Sequence, residues 1–204
     1  MVTFASLEWT YAPMPGGNAA VSLAQLPDPG DHAFRAFVRF PAGWERPGTG
    51  HYAVAEEFVV LEGSLAINGH TWESGGYAWI PAYHARTESR SLAGCLAFAW
   101  FGGPPRWVPG ATDACQGEAQ IRFAHWLETP RRALRDGICI RELRCGPEHA
   151  TWVADTGADA ARVLPRDDHE TLDLADFTWS AGRLPAAGLR APGARLVRTS
   201  ARPA

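Results

Sequence analysis

Between Gly43 and Gly63 the chain reads Gly-x5-Thr-x-His-x4-Glu-x6-Gly, ending in a run of alternating apolar residues and a tight turn. The same rhythm recurs around it. His32 to Phe40 alternates, with Phe34, Ala36, Val38 and Phe40 on one face and Arg35 and Arg39 on the other, the period-2 mark of a half-buried strand. Pro41 ends it, since proline cannot continue a ladder. Glu57 to Glu62 and Ser64 to Ile67 read as strand on either side of Gly63. Asn68-Gly69 then gives a two-residue hairpin signal, because both central positions of that turn need positive φ. His70 to Trp72 returns as the partner strand, Gly75-Gly76 turns again, and Tyr77 to Ile80 runs until Pro81. Cys95 to Phe101 is a strongly apolar strand. Short strands between glycine and proline turns at nearly regular spacing specify an all-β fold, an antiparallel sandwich or barrel.

The first thirty residues are rich in turn chemistry, with Ala20 to Leu26 as an edge strand among them. Gly102-Gly103-Pro104-Pro105 opens a linker reaching about Gln116. Beyond it the pattern weakens. Ile138 to Leu143, Thr151 to Ala154, Leu172 to Trp179 and Arg195 to Thr199 are expected strands, and Glu128 to Asp136 a short arginine-rich helix. Two parts follow: residues 1–110, and a more weakly patterned β part, 111–204, in which no stretch repeats the glycine-bounded pattern of the first.

Composition narrows the function. A net charge of −3 without a clustered basic surface argues against nucleic acid as a partner. Every basic residue is arginine, so chemistry needing a lysine amine is excluded, including Schiff-base catalysis and the phosphate-binding loop. The cysteines Cys95, Cys115, Cys139 and Cys145 form no Cys-x-x-Cys pair, which signals neither a zinc ribbon nor a redox dithiol. No apolar run approaches the ~20 residues that span a bilayer, and no signal peptide is visible, so the expectation is a cytoplasmic protein with no membrane partner. Nine tryptophans suit a cavity or interface lining as well as barrel-filling core.

The residues from Gly43 to Phe101 resemble the cupin superfamily, a small antiparallel jelly-roll barrel. Its first motif reads Gly-x5-His-x-His-x3-4-Glu-x6-Gly; Gly43, His51, Glu56 and Gly63 match it, and Thr49 stands where its first histidine would be. Its second reads Gly-x5-Pro-x-Gly-x2-His-x3-Asn; Gly75 and Pro81 match, while Tyr83, Arg86 and Arg90 replace the glycine, histidine and asparagine. The organisation looks like that of the two-repeat cupins, the second repeat being degenerate, with Ala181-Gly182-x2-Pro185 an echo of its later turn.

The resemblance implies a small organic ligand inside the barrel and a divalent transition metal, Fe, Mn, Ni, Cu or Zn, between which ligand types alone do not choose. His51 and Glu56 keep two of the four ligand positions, and His84 is the nearby third candidate. Strand alternation points His84 and Arg86 to the same side, one two-residue repeat apart, roughly 7 Å. The other reading is a lapsed metal site in which His51 and Glu56 bond each other or the backbone. Arg86, grouped with Thr49, Trp79 and Tyr83, would then clamp a carboxylate or phosphate bidentately, unless it is a surface arginine beside Glu88. Glu57 alternates to the other face and is expected in solvent.

Three functions stay open: a metal-free small-molecule binder, a metal-dependent dioxygenase, isomerase or decarboxylase, and a structural module that forms a homodimer through Leu96 to Phe101.

Overall fold

The computed structural model describes residues 1–112, 120–133, 139–146, 149–156, 169–182 and 193–199. Among them there is no α-helix; a single 3-10 turn, Phe4–Ser6, is the only helical element. No helix there is long and apolar enough to cross a membrane. Strands and turns fill the rest, because glycine and proline interrupt every apolar run before a helix of useful length can form. The contacts divide the chain into two units, one of Glu8–Ala124 and one of Met1–Leu7 with His125–Ala204. The sequence pattern had put the change at 110/111 and kept the first residues with the first part.

The first unit holds β1 (Thr10–Pro13), β2 (Ala20–Gln25), β3 (Phe34–Phe40), β4 (Trp44–Arg46), β5 (Gly50–Tyr52), β6 (Glu56–Ile67), β7 (His70–Glu73), β8 (Gly76–Ile80), β9 (Ser89–Ser91), β10 (Cys95–Phe101) and β11 (Trp107–Pro109). The path β1-β2-β3-β10-β6-β8 makes one antiparallel wall. The second half of β6 pairs with β7 and β9, β9 pairs with β4, and β5 pairs with β11 in a separate ribbon. This antiparallel architecture is the expected jelly roll.

One strand, β6, serves both walls, and a bulge lets it do so. Leu96 lies opposite Glu62 but Ala97 lies opposite Val60, so Leu61 has no partner across the ladder. The extra residue flips the side-chain parity. Before it Glu56, Phe58 and Val60 face the interior; after it Leu65 and Ile67 do. Gly63 completes the irregularity with φ +72°, and a Cβ there would come within 2.1 Å of the Gly94 carbonyl oxygen. Only glycine fits that approach.

The core follows the pattern: Val38 and Phe40 from β3, Ala97, Ala99 and Phe101 from β10, and Phe58 and Val60 from β6 converge on Trp44 and Trp72. The opposite faces of these strands are buried too, which alternation alone does not foresee. Arg35 is 1% exposed and pairs with Asp31. Glu57, expected in solvent, is buried and accepts a hydrogen bond from Tyr77 Oη at 2.6 Å. Leu96 to Phe101, expected as a dimer surface, is flanked by β3 and β6 and buried throughout. It is a central strand, with no free edge to offer a second copy.

The wall of the first unit ends in β12 (Arg122–His125), which pairs with β8, and the second unit is a six-stranded antiparallel sheet, ordered β13-β14-β15-β18-β16-β17. Its members are β13 (Arg132–Ala133), β14 (Cys139–Cys145), β15 (Ala150–Thr156), β16 (His169–Asp173), β17 (Trp179–Ala181) and β18 (Gly193–Thr199). Val2 bridges Trp179 through paired backbone hydrogen bonds of 2.7 and 2.9 Å. Two expectations change here. Leu172 to Trp179 is two strands joined by a turn, since Asp173 and Asp176 side chains each accept a backbone N–H two residues on, from Ala175 and Thr178. The expected helix at Glu128–Asp136 is a turn followed by β13, with 134–136 outside the described residues. Pro185, the end of the expected turn echo, also lies outside them.

Candidate functional site

The first unit holds a cavity of about 600 Å³ that is open to solvent on one side. Its wall is largely apolar, with Phe34, Val38, Phe58, Leu65 and Ala99 among the lining residues, and three arginines face it against one carboxylate, Glu56. Arg106 stands exposed at the rim, whereas Arg46 and Arg86 are each only 3% exposed.

Arg86 is placed from both sides. Its N–H donates to the Gly50 carbonyl at 2.8 Å, and its own carbonyl accepts from Gly50 N–H at 3.1 Å. The hairpin residue Asn68, at φ +53° beside Gly69, clamps the flanking residues. Its Nδ2 donates to Ala85 O at 2.9 Å, and its Oδ1 accepts from Thr87 N–H at 2.8 Å. The Asn-Gly turn therefore closes a hairpin and also fixes the segment that carries the guanidinium. Arg86 Nη1 then donates to Glu56 Oε2, forming a buried ion pair, and Arg86 Cζ lies 4.6 Å from the Tyr52 ring centroid.

Arg46 comes from β4, directly opposite Ser89 on β9. Trp44, Glu45 and Arg46 alternate buried, exposed, buried, so the guanidinium enters on the same face as the Trp44 indole. Its Cζ sits 3.6 Å from the Trp107 ring centroid and 5.8 Å from that of Tyr52, and Nη1 donates to Tyr52 Oη at 3.3 Å. The Trp107 ring lies against Gly50 so closely that a Cβ there would meet Cζ2 at 2.2 Å. A glycine on β5 thus makes room for the indole that covers Arg46.

The structure brings Glu56 and Arg86 together on the cavity and leaves the other candidates off it. Tyr52 faces in, so its strand neighbour His51 faces away; His51 Nδ1 lies 3.1 Å from Gly110 O, and its ring packs 5.9 Å from that of Tyr83. Thr49 is exposed, and its carbonyl accepts from Gly110 N–H. Trp79 shares a face with Tyr77, across from Glu57, and Tyr83 is 37% exposed. His84 does not line the cavity although Arg86 does. The expected shared direction rests on an uninterrupted strand, and there is none: the chain turns at Tyr83, at φ +63°, and then only Arg86 makes an isolated bridge, to Gly50. Burial, and then the Arg86 charge, push the His84 pKa down.

No group of three or more His, Cys, Asp or Glu side chains among the described residues is placed to hold a metal. Glu56 is engaged by Arg86, and neither His51 nor His84 reaches the cavity that Glu56 faces. The donor set that the family motif implies is therefore not assembled by these residues. Arg46, Tyr52, Ser89 and Trp107 were not foreseen as site residues. The alternation of Trp44, Glu45 and Arg46 was the available signal for the first of them.

No protein-family model and no curated protein matches the sequence. Solved structures do. A candidate dioxygenase from Nostoc punctiforme superposes with a TM-score of 0.68 at 14% identity, over 88% of this chain and 73% of that one. The protein Ylba from E. coli gives 0.56 at 14% identity, over 94% and 82%. An oxalate decarboxylase from Bacillus subtilis gives 0.55 at 9% identity, over 98% and 76%. All three are cupin-fold proteins, and the fold of this chain is the cupin fold.

Proposed function

We propose that the first unit binds a small organic molecule inside its barrel through direct side-chain contacts. The observation that carries this is the cavity of about 600 Å³, sized for a small ligand and lined by apolar and aromatic side chains with a few polar groups among them. Proteins of similar fold named for dioxygenase and decarboxylase activities support a small-molecule role for the barrel. A metal-dependent reaction of that kind would need ligands gathered at one point, and of the candidate ligands His51, Glu56 and His84 only Glu56 lines the cavity here.

The test is a thermal-shift screen with single-ring aromatic and branched aliphatic compounds, both neutral and acidic. A compound that binds the native state raises Tm. Ala99→Leu, which adds side-chain volume on the cavity wall at a residue 4% exposed, should abolish the rise. A screen in which nothing shifts Tm, or in which the shifts persist in Ala99→Leu, refutes the proposal.

A further inference from the structure

Three residues lining the cavity each hold a buried polar atom with no hydrogen-bond partner among the described residues: Arg46 Nε, Arg86 Nε and Ser89 Oγ. They are not equivalent. Arg86 has its charge offset by Glu56. Arg46 makes its contacts with the neutral Tyr52 hydroxyl and the rings of Trp44, Tyr52 and Trp107, and no carboxylate among the described residues pairs with it. A buried guanidinium held by one neutral hydroxyl and aromatic rings is an expensive arrangement, because these replace only part of the lost hydration. The residue lines a space large enough for a ligand.

We infer that this cavity is a site for an organic monocarboxylate with an apolar body, received by Arg46 and Ser89. The inference rests on the cavity being the ligand site proposed above, and adds the class of ligand. Register supplies the geometry: Arg46 and Ser89 are cross-strand neighbours on β4 and β9, so a donor fork and a hydroxyl stand side by side on one face. A guanidinium presents parallel N–H groups that match the two oxygens of a carboxylate. Ser89 Oγ adds a third donor to the same group. Charge balance selects the valence. With Glu56 and Arg86 cancelling, the buried part of the wall carries one net positive charge, which a monoanion neutralises. A phosphate dianion would leave a negative charge in a largely apolar cavity, at a high desolvation cost. The ligand's apolar body has Phe34, Val38 and Leu65 to pack against.

The experiment is calorimetric titration of the full chain at pH 7.5 with three probes: phenylacetate, its neutral isostere phenylacetamide, and inorganic phosphate. The expected result is phenylacetate bound at least tenfold more tightly than phenylacetamide, with phosphate not bound. Arg46→Met, which keeps the stem on the Trp107 face, should erase the preference of acid over amide, and Ser89→Ala should reduce it several-fold. Ala99→Leu should remove binding of both organic probes. Acid and amide binding alike to the wild-type protein would overturn the carboxylate assignment and leave the cavity reading standing; no binding of either would overturn both. Should Arg46→Met not fold, the wild-type comparison and Ser89→Ala still decide. A preference for acid that survives both substitutions also overturns the assignment.

Discussion

At Glu56 and Arg86 two ionisable side chains 30 residues apart in sequence are held together, one from β6 and the other from the isolated bridge to Gly50. Among the described residues neither has another ion-pair partner, so removing one strands the other. Glu56→Leu is expected to cost roughly 3 kcal/mol in urea unfolding, the scale for breaking a buried pair. The double variant Glu56→Leu with Arg86→Leu should lose less than the two single losses added together, since the orphaned charge is gone. Additive losses would show that the pair is not coupled. His84, beside Arg86, makes a second residue-scale prediction. Its folded-state pKa is depressed, so below its ordinary value of about 6.5 the unfolded chain takes up the proton first. The stability it confers is complete above that value and is lost as pH falls through the folded one. The urea midpoint of wild type should therefore fall between pH 7.5 and 5.5 more steeply than that of His84→Gln. Equal slopes would remove His84 as the cause. Arg86 was legible as an inward residue from its place in the second motif. Arg46 and Tyr52 were not, because a guanidinium or a phenol beside a glycine-proline turn reads as surface until the opposing aromatic ring is known.

For single elements, the positions that matter most are glycines whose role differs. Gly50 has no positive φ in its strand; it is needed because Trp107 lies on it. Gly50→Ala should displace that indole from above Arg46 and destabilise by about 1–3 kcal/mol, the range for overpacking. The signature to measure is a change in tryptophan emission together with the lowered urea midpoint; an unchanged spectrum would mean that Trp107 is not the group displaced. Gly63 carries positive φ and a backbone carbonyl in the place of its missing Cβ, so relief there requires the β6–β10 ladder to shift. Strands, turns and the hairpin of this unit were legible because alternation and Asn-Gly chemistry are local signals. The Leu61 bulge was not. It depends on which residues of β10 pair with which of β6, and a parity flip inside one continuous apolar run leaves no mark in composition. For the same reason β3 reads as half-buried and β10 as a surface for a second copy, although Arg35 and Leu96 are covered as fully as Val38 and Ala97.

Across the whole molecule, chain order and unit membership part company. Met1–Leu7 precedes the first barrel but belongs with His125–Ala204. No periodicity in seven residues could have announced this, since the pairing is to residue 179 and only the folded second sheet defines a partner for Val2. The physical tie is specific: two backbone hydrogen bonds between Val2 and Trp179, and an edge-on contact of Phe4 with Phe177 at 5.4 Å between ring centroids. Deleting residues 1–7 should consequently weaken β16 and β17 and spare the barrel that carries Arg46 and Arg86. Hydrogen exchange reads the two separately. Protection of backbone amides in Thr171–Leu172 and Trp179–Ala181 should fall in the truncated chain, because β17 then loses the strand-like partner on its outer side. Amides of β3, β6 and β10 should keep their wild-type protection. Equal loss in both sets would mean that the first seven residues support the fold as a whole, and unchanged protection of β17 would mean that the Val2 bridge contributes nothing to its stability.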